Sequence, residues 1–221
     1  MSILDWAFIA LLSCAILFFL FSILSLVFAI QMRTKYTTLK TKKLKNKRKR
    51  KKLKKVINKT HKAMKKQFRR VILLFLLMLI MAGGAAYSRY YQQTTLEKED
   101  ANIIVQSYFL IEEVDKQLTS AQEGASAEAI EERVREVSSL LVTYGNNKAF
   151  GGLSLDRQKS LNRYYTKIRE LGANLSNVNR EKIATTEYIE TYQKTIKQLQ
   201  TNQKNIFKLF GINESALKQK K

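Results

Sequence analysis

The residues most able to do chemistry in this 221-residue chain are bases rather than nucleophiles or acids. Lys45, Lys47, Arg48, Lys49, Arg50, Lys51, Lys52, Lys54 and Lys55 stand almost side by side, interrupted only by Asn46 and Leu53. Side chains that are cationic at neutral pH neutralise anions. The block therefore points to phospholipid headgroups, nucleic-acid phosphates or an acidic partner. Tyr36 and Phe68 are the nearest aromatics and sit at the two ends of the basic segment, so no stacking platform is interleaved with the charges. On that ground anionic lipid is the first reading, a protein partner the second and nucleic acid the last.

Catalytic constellations do not emerge. One His (His61) and one Cys (Cys14) rule out two-histidine zinc sites and an intramolecular disulfide. The acids Glu112, Glu113, Asp115, Glu131 and Glu132 read as solvated helix faces, with Glu112–Lys116 and Glu131–Arg135 as ordinary i,i+4 pairs. The Gly-rich stretch at residues 145–152 is neither preceded by a strand nor followed by Gly-Lys-Ser/Thr, which argues against a phosphate loop. Neither a metal nor a cofactor is expected. His61 and Cys14 read as packing residues.

The charge is concentrated. Residues 32–70 hold 20 of the 40 Lys and Arg and no acid, within a chain whose formal charge is +22. Residues 88–221 are nearly balanced, with 20 bases and 17 acids. The basic segment lies between two apolar runs, residues 7–32 and 71–87, neither of which contains a charge. The first exceeds the roughly 20 residues that cross a hydrocarbon core as a helix; the second lies at the lower edge, with Arg69, Arg70 and Arg89 able to snorkel and Tyr87, Tyr90 and Tyr91 suited to an interfacial belt. Val27-Phe28-Ala29 would pass as a cleavage site. However, the bases follow the first run rather than precede it, which argues against a removed signal peptide. The positive-inside bias places residues 32–70 in the cytoplasm and both termini outside a plasma membrane, with the Pro-free, disulfide-free composition suggesting a bacterium.

The expected fold class is thus an all-α membrane protein in four parts. Residues 1–31 form a first transmembrane helix, 32–70 a basic cytoplasmic helical hairpin, 71–87 a second transmembrane helix and 88–221 an extracytoplasmic antiparallel bundle or coiled coil. The block at residues 45–55 should be extended or fluctuating in isolation, because like charges repel. Beyond it, Leu53, Ile57, Met64 and Phe68 recur at helical spacing, a basic amphipathic helix running into the second span. The cluster Ala82-Gly83-Gly84-Ala85-Ala86 suits close helix contact.

In the last part, four helices are predicted. The first continues from the second span to about Gln122; Ser126 and Ser154 open the next two; Gly145, Gly172 and Gly211 are candidate stops. In the fourth, Ile189, Tyr192, Ile196, Leu199, Ile206 and Phe210 form a seam, with Gln203 a polar guest in the same row. Whether that seam closes within one chain or between copies is left open by periodicity. The function expected from these features is non-enzymatic. It is that of a scaffold or adaptor in a cell-envelope assembly, whose bundle binds a protein partner or a second copy while its loop holds anionic lipid or a cytoplasmic component. A membrane sensor or regulator is the alternative, and a pore a third reading that the large outer part disfavours.

Overall fold

Without proline, and with no glycine before Gly83, nothing in the first 82 residues forbids a helix. The computed structural model, which describes residues 3–42, 46–183 and 185–219, accordingly begins with two very long ones. Helix α1 covers Ile3–Thr41 and α2 covers Lys47–Thr94. Both are long and apolar enough to cross a membrane. Chain contacts divide the protein into two units, Met1–Tyr91 and Gln92–Lys221.

In the first unit α1 and α2 pair antiparallel. Ser88 Oγ donates to Leu4 O at 3.3 Å, a Cβ on Gly84 would lie 3.4 Å from Leu11 Cδ1, and the rings of Tyr36 and His61 stack at 5.1 Å. From Leu11 to Leu39 every residue of α1 that is not exposed belongs to one row: Leu11, Ala15, Phe18, Ser22, Ser25, Ala29, Met32, Tyr36 and Leu39. These steps of four and three keep one face on the partner helix. On α2 the row Leu53, Ile57, Thr60, Met64, Gln67, Val71, Leu74, Met78, Met81, Ala85 and Ser88 repeats the same steps. The buried positions of α1 are small (Ala15, Ser22, Ala29), whereas Phe19, Phe21, Leu24 and Phe28 are all about half exposed. This distribution is inside-out relative to a helix that buries its large side chains.

The Ala/Gly cluster divides between faces: Gly84 and Ala85 lie toward α1, while Gly83 meets nothing within 4 Å. Cys14, expected to be packed, is exposed, because it falls off the α1 row. His61 packs on Tyr36, as its place near the apolar face suggested.

The second unit contains α3 (Lys98–Gln122), α4 (Ala127–Gly145), α5 (Leu155–Ser176), a short α6 (Arg180–Ile183), α7 (Thr186–Phe210) and a short α8 (Glu214–Lys218). The four long helices touch in the cyclic order α3, α4, α5, α7, a closed four-helix bundle. Ile104, Ile111, Leu118, Val134, Leu141, Leu161, Ile168, Leu175 and Ile196 fill its centre. Ser126 and Ser154 stand immediately before α4 and α5, and Gly211, at φ 68°, ends α7 in the left-handed conformation that glycine adopts without strain.

Two expectations are corrected. The helix of the second apolar run does not continue to Gln122: it stops at Thr94, and α3 restarts at Lys98. The residues around the break are held elsewhere, with Ser154 N donating to Gln93 O and the Asp100 carboxylate accepting from Phe150 N and Tyr165 Oη. Gly172 does not stop α5 but lies inside it, where a Cβ would come within 2.7 Å of Ser138 O and 2.9 Å of Leu141 Cβ on α4. Gly145 does the same from the other side, facing the Arg169 backbone at 2.5 Å. The two glycines let α4 and α5 approach backbone to backbone.

A methyl at position 172 has no flexible neighbour to push aside. Gly172→Ala should therefore destabilise the bundle by about 1–3 kcal/mol, the usual cost of overpacking. Gly151→Ala, where a Cβ meets nothing within 4 Å, should be close to neutral. Thermal unfolding of the purified variants followed by near-ultraviolet circular dichroism compares the two. Equal midpoints would refute the close-approach account.

Candidate functional site

Helix α2 begins where a cap is available. Asn46 Oδ1 accepts from Arg48 N at 3.0 Å and Asn46 O accepts from Arg50 N at 3.0 Å, so two backbone donors of the first turn are satisfied by Asn46. Lys47, Arg48, Lys49, Arg50, Lys51, Lys52, Lys54 and Lys55 are helical and all exposed, and Leu53 alone in residues 47–55 is half-buried. Lys45 lies outside the described residues. The extended block expected from charge repulsion is thus, from Lys47 onward, the first two and a half turns of a helix. Lys and Arg are good helix formers, and the nucleus is supplied by the much longer helix that follows. At 100° per residue the eight charges cover every side of the helix except that of Leu53 within about 12 Å.

The continuation of this arm differs from an interfacial amphipathic helix. Its apolar face is covered: Ile57, Thr60, Met64 and Gln67 belong to the row that faces α1, and His61 stacks on Tyr36. Lys59, Lys62, Lys65, Lys66, Arg69 and Arg70 are left on the outer faces. Because α2 is uninterrupted, distance along it follows from helical rise. Lys55 lies about 24 Å and Lys47 about 36 Å before Val71, the first residue of the apolar run. Asn46 as a cap and α1 as the cover of the arm were not read from the sequence. The former had a signal, an Asn just before a run of helix formers, and the latter had none in the local pattern.

In the bundle, α7 turns its seam toward its own chain. Ile189, Ile196, Leu199 and Ile206 are buried, while Tyr192 and Phe210 are half-buried at the edge, Tyr192 Oη donating to Asn174 O at 3.4 Å and Phe210 lying under Arg157 at 5.9 Å. Phe207, which the row omits, is buried beside Tyr108 at a ring distance of 5.9 Å. A straight helix drifts about 20° per heptad from a strict 3.5 repeat, and by the last turn that drift brings the next position inward.

Gln203 is a connector. Its Nε2 donates to Tyr164 Oη at 2.7 Å, Tyr164 Oη lies 2.8 Å from Ser107 Oγ, and Ser107 Oγ donates to Ile104 O at 3.1 Å. All three side chains are buried, and the chain of hydrogen bonds joins α7, α5 and α3. Burial pushes the Tyr164 phenol up to about 12, against the smaller opposing pull of the Ser107 and Gln203 hydrogen bonds. Burial raises the Tyr165 phenol as well, reinforced by its hydrogen bond to the Asp100 carboxylate.

The outer face of α4 is a second candidate surface. It presents Glu128, Glu131, Glu132, Arg135, Glu136, Ser139 and Leu140 along an open groove of about 660 Å³. Arg133 bridges Glu113 of α3 at 3.2 Å and Glu136 at 2.6 Å, and Arg135 meets Glu131 at 2.8 Å. Among the described residues no group of three or more metal-ligating side chains is gathered.

The tyrosine positions set a pH window. A phenol that ionises near 10 when unfolded and near 12 when folded stabilises the fold fully below pH 10, and that contribution is lost as pH rises from 10 to 12. Each pH unit in that window should remove on the order of 1.4 kcal/mol on account of Tyr164 alone. Tyrosinate absorbance at 295 nm should show Tyr164 and Tyr165 ionising only together with loss of helix. A single smooth titration of all ten tyrosines with helix intact would contradict the buried network. Comparison with protein-family models, with curated proteins and with solved structures finds no match for this chain.

Proposed function

We propose that the chain is a non-enzymatic, two-pass membrane scaffold or adaptor of a cell-envelope assembly. The observation that carries this reading is the inside-out pair α1 and α2: large apolar side chains are exposed along the apolar runs of both helices while the buried positions there are small (Ala15, Ser22 and Ala29 on α1, Ala85 and Ser88 on α2), and one of the two helices continues unbroken into a basic arm. Outward Phe and Leu on both helices need an apolar surround, which a bilayer supplies. The 20 bases of residues 32–70 then set the cytoplasmic side, and residues 88–221 lie on the other. Lys65, Lys66, Arg69 and Arg70 fall within about 10 Å of the apolar run, close enough for anionic headgroups to feel them through physiological salt. The α1–α2 seam is a coiled coil that holds the arm upright, and the bundle offers its exposed α4 face to a protein partner.

A second reading, a sensor or regulator, is favoured by one feature. The same α2 that carries the basic arm reaches Thr94, the last residue of that helix before the bundle helices, so a shift at one end is felt at the other. The scaffold reading is preferred because the bundle interior is filled and tied by hydrogen bonds at Gln203 and Asp100.

Orientation is tested in a Cys14→Ser background carrying either Lys49→Cys or Asp156→Cys, both exposed positions. A membrane-impermeant maleimide should label Asp156→Cys on intact cells and Lys49→Cys only after permeabilisation. The reverse pattern, or labelling of both on intact cells, would overturn the two-span orientation. Crosslinking pull-downs from native membranes then address the scaffold role. Partners kept when the bases of residues 45–55 are changed to Gln belong to the bundle, partners lost belong to the arm, and the absence of any specific partner in both would move the assignment to the sensor.

A further inference from the structure

We propose that the tip of the basic arm, the eight Lys and Arg of residues 47–55, is a sequence-independent binding site for double-helical nucleic acid. This deepens the scaffold reading by naming the cytoplasmic component, and it rests on that reading for one step only, the exclusion of the protein's own bilayer. That step is a matter of distance. The tip stands about 24–36 Å before the apolar run along a stretch of α2 without Pro or Gly, and charge interactions through water fade over a Debye length of about 8–10 Å. Headgroups of the membrane that holds the helix are out of its range, whereas the bases near Arg69 and Arg70 are not.

The remaining partners are separated by how the charge is arranged. A flat acidic surface, whether a protein or another bilayer, meets one side of a cylinder, yet here exposed bases occupy every side except that of Leu53, which belongs to the row facing α1. Protein interfaces concentrate their energy in aromatic and other large anchors and are depleted in Lys, while the tip has Leu53 as its single apolar residue and that is half-buried. Single strands are held by stacking on aromatics, and residues 37–67 contain no Phe, Tyr or Trp, with the one imidazole, His61, already stacked on Tyr36.

A duplex groove fits each of these features. An α-helix about 10–12 Å across enters a major groove about 12 Å wide, so that bases on its opposite flanks reach phosphates on both walls. Eight charges over about 12 Å of helix match the roughly one phosphate per 1.7 Å of duplex axis. No Asn or Gln lies in residues 47–55 to read adenine edges, and six of the eight bases are Lys, so the contacts are chiefly to phosphate. The helix is already formed, so binding need not order it. Phosphate near its start also relieves a local conflict, since the first turn carries bases and no acid at the positive end of the helix dipole. The low rank given to nucleic acid from the sequence rested on missing aromatics, which concerns single strands and not a duplex.

The test uses the full chain in nanodiscs of zwitterionic lipid, with fluorescence anisotropy of two labelled duplexes of unrelated sequence. Both should bind within about two-fold of one another. With about six phosphates neutralised, affinity should fall on the order of 10³-fold between 50 and 200 mM salt. Changing all eight tip bases to Gln, which preserves helix propensity, should weaken binding by about 100-fold or more. Lys59→Gln, Lys62→Gln, Lys65→Gln and Lys66→Gln combined should change it only a few-fold, and circular dichroism checks that both variants keep their helix. No duplex binding at 50 mM salt, binding that survives the tip change, or tighter binding of a single strand would each overturn the proposal. So would tip-dependent capture of added anionic vesicles without duplex binding, which would assign the tip to an apposed membrane. Failure of the maleimide orientation test with duplex binding intact would instead remove the two-span reading and leave the tip site standing.

Discussion

Helix α2 has no internal break because nothing in it can make one: between Lys47 and Thr94 there is no Pro, and the two adjacent glycines lie with a neighbouring helix turn intact on either side. Its unbroken length decides where everything in the first unit falls. A row of half-buried residues repeats along it in steps of four and three and pairs with a matching row on α1, and that pairing requires the connection between the helices to lie at the end where the charge is greatest. The basic tip, the covered arm and the inside-out apolar run are successive lengths of one rod, each meeting a different surround. At the tip all faces but that of Leu53 meet water, in the arm one face meets α1, and in the apolar run the outward faces are large and apolar.

The bundle depends on different means. Its four long helices close a ring, and two contacts define how tightly. Gly145 and Gly172 remove side chains where α4 and α5 touch, so the backbones approach at distances that a methyl group would prevent. Tyr164 and Tyr165, adjacent in sequence and both about 1 % exposed, reach in different directions, one to Gln203 and Ser107 and the other to Asp100. Buried hydroxyls and a buried carboxylate are costly without partners, so each of these positions constrains the register of the helices it joins. Asp100 links the start of α3 to α5 and to the backbone of the loop after α4, at Phe150. It thereby holds the long Gly-rich connection against the bundle.

Much of this was legible in one dimension. The all-helical class follows from the absence of Pro and from 3.6-residue periodicity, and the apolar runs and the concentration of charge are direct readings of residue type. Ser126, Ser154, Gly145 and Gly211 mark helix ends because such ends are decided by a residue and its neighbours within one turn, although neither serine side chain makes a capping hydrogen bond and only Gly211 takes the left-handed turn. The α7 row was visible for the same reason, up to the last turn, where a small angular drift exchanges one position for the next.

What local pattern could not supply was the identity of the surface that each apolar face meets. The arm of α2 has the composition of a membrane-surface helix, and only the return of α1 along it shows that its apolar face is covered. Gly172 looks like a stop from its own helix and is a contact when Ser138 and Leu141 are placed opposite. Asp100 looks like a first-turn acid, and its function as a clasp depends on Phe150 and Tyr165, about 50 and 65 residues away in the chain. The sequence by itself determined which segments are helical, which are apolar and where the charge lies, since these are properties of neighbouring residues. The tertiary structure alone decided which faces are covered and which are free, because burial is a relation between segments far apart in the chain.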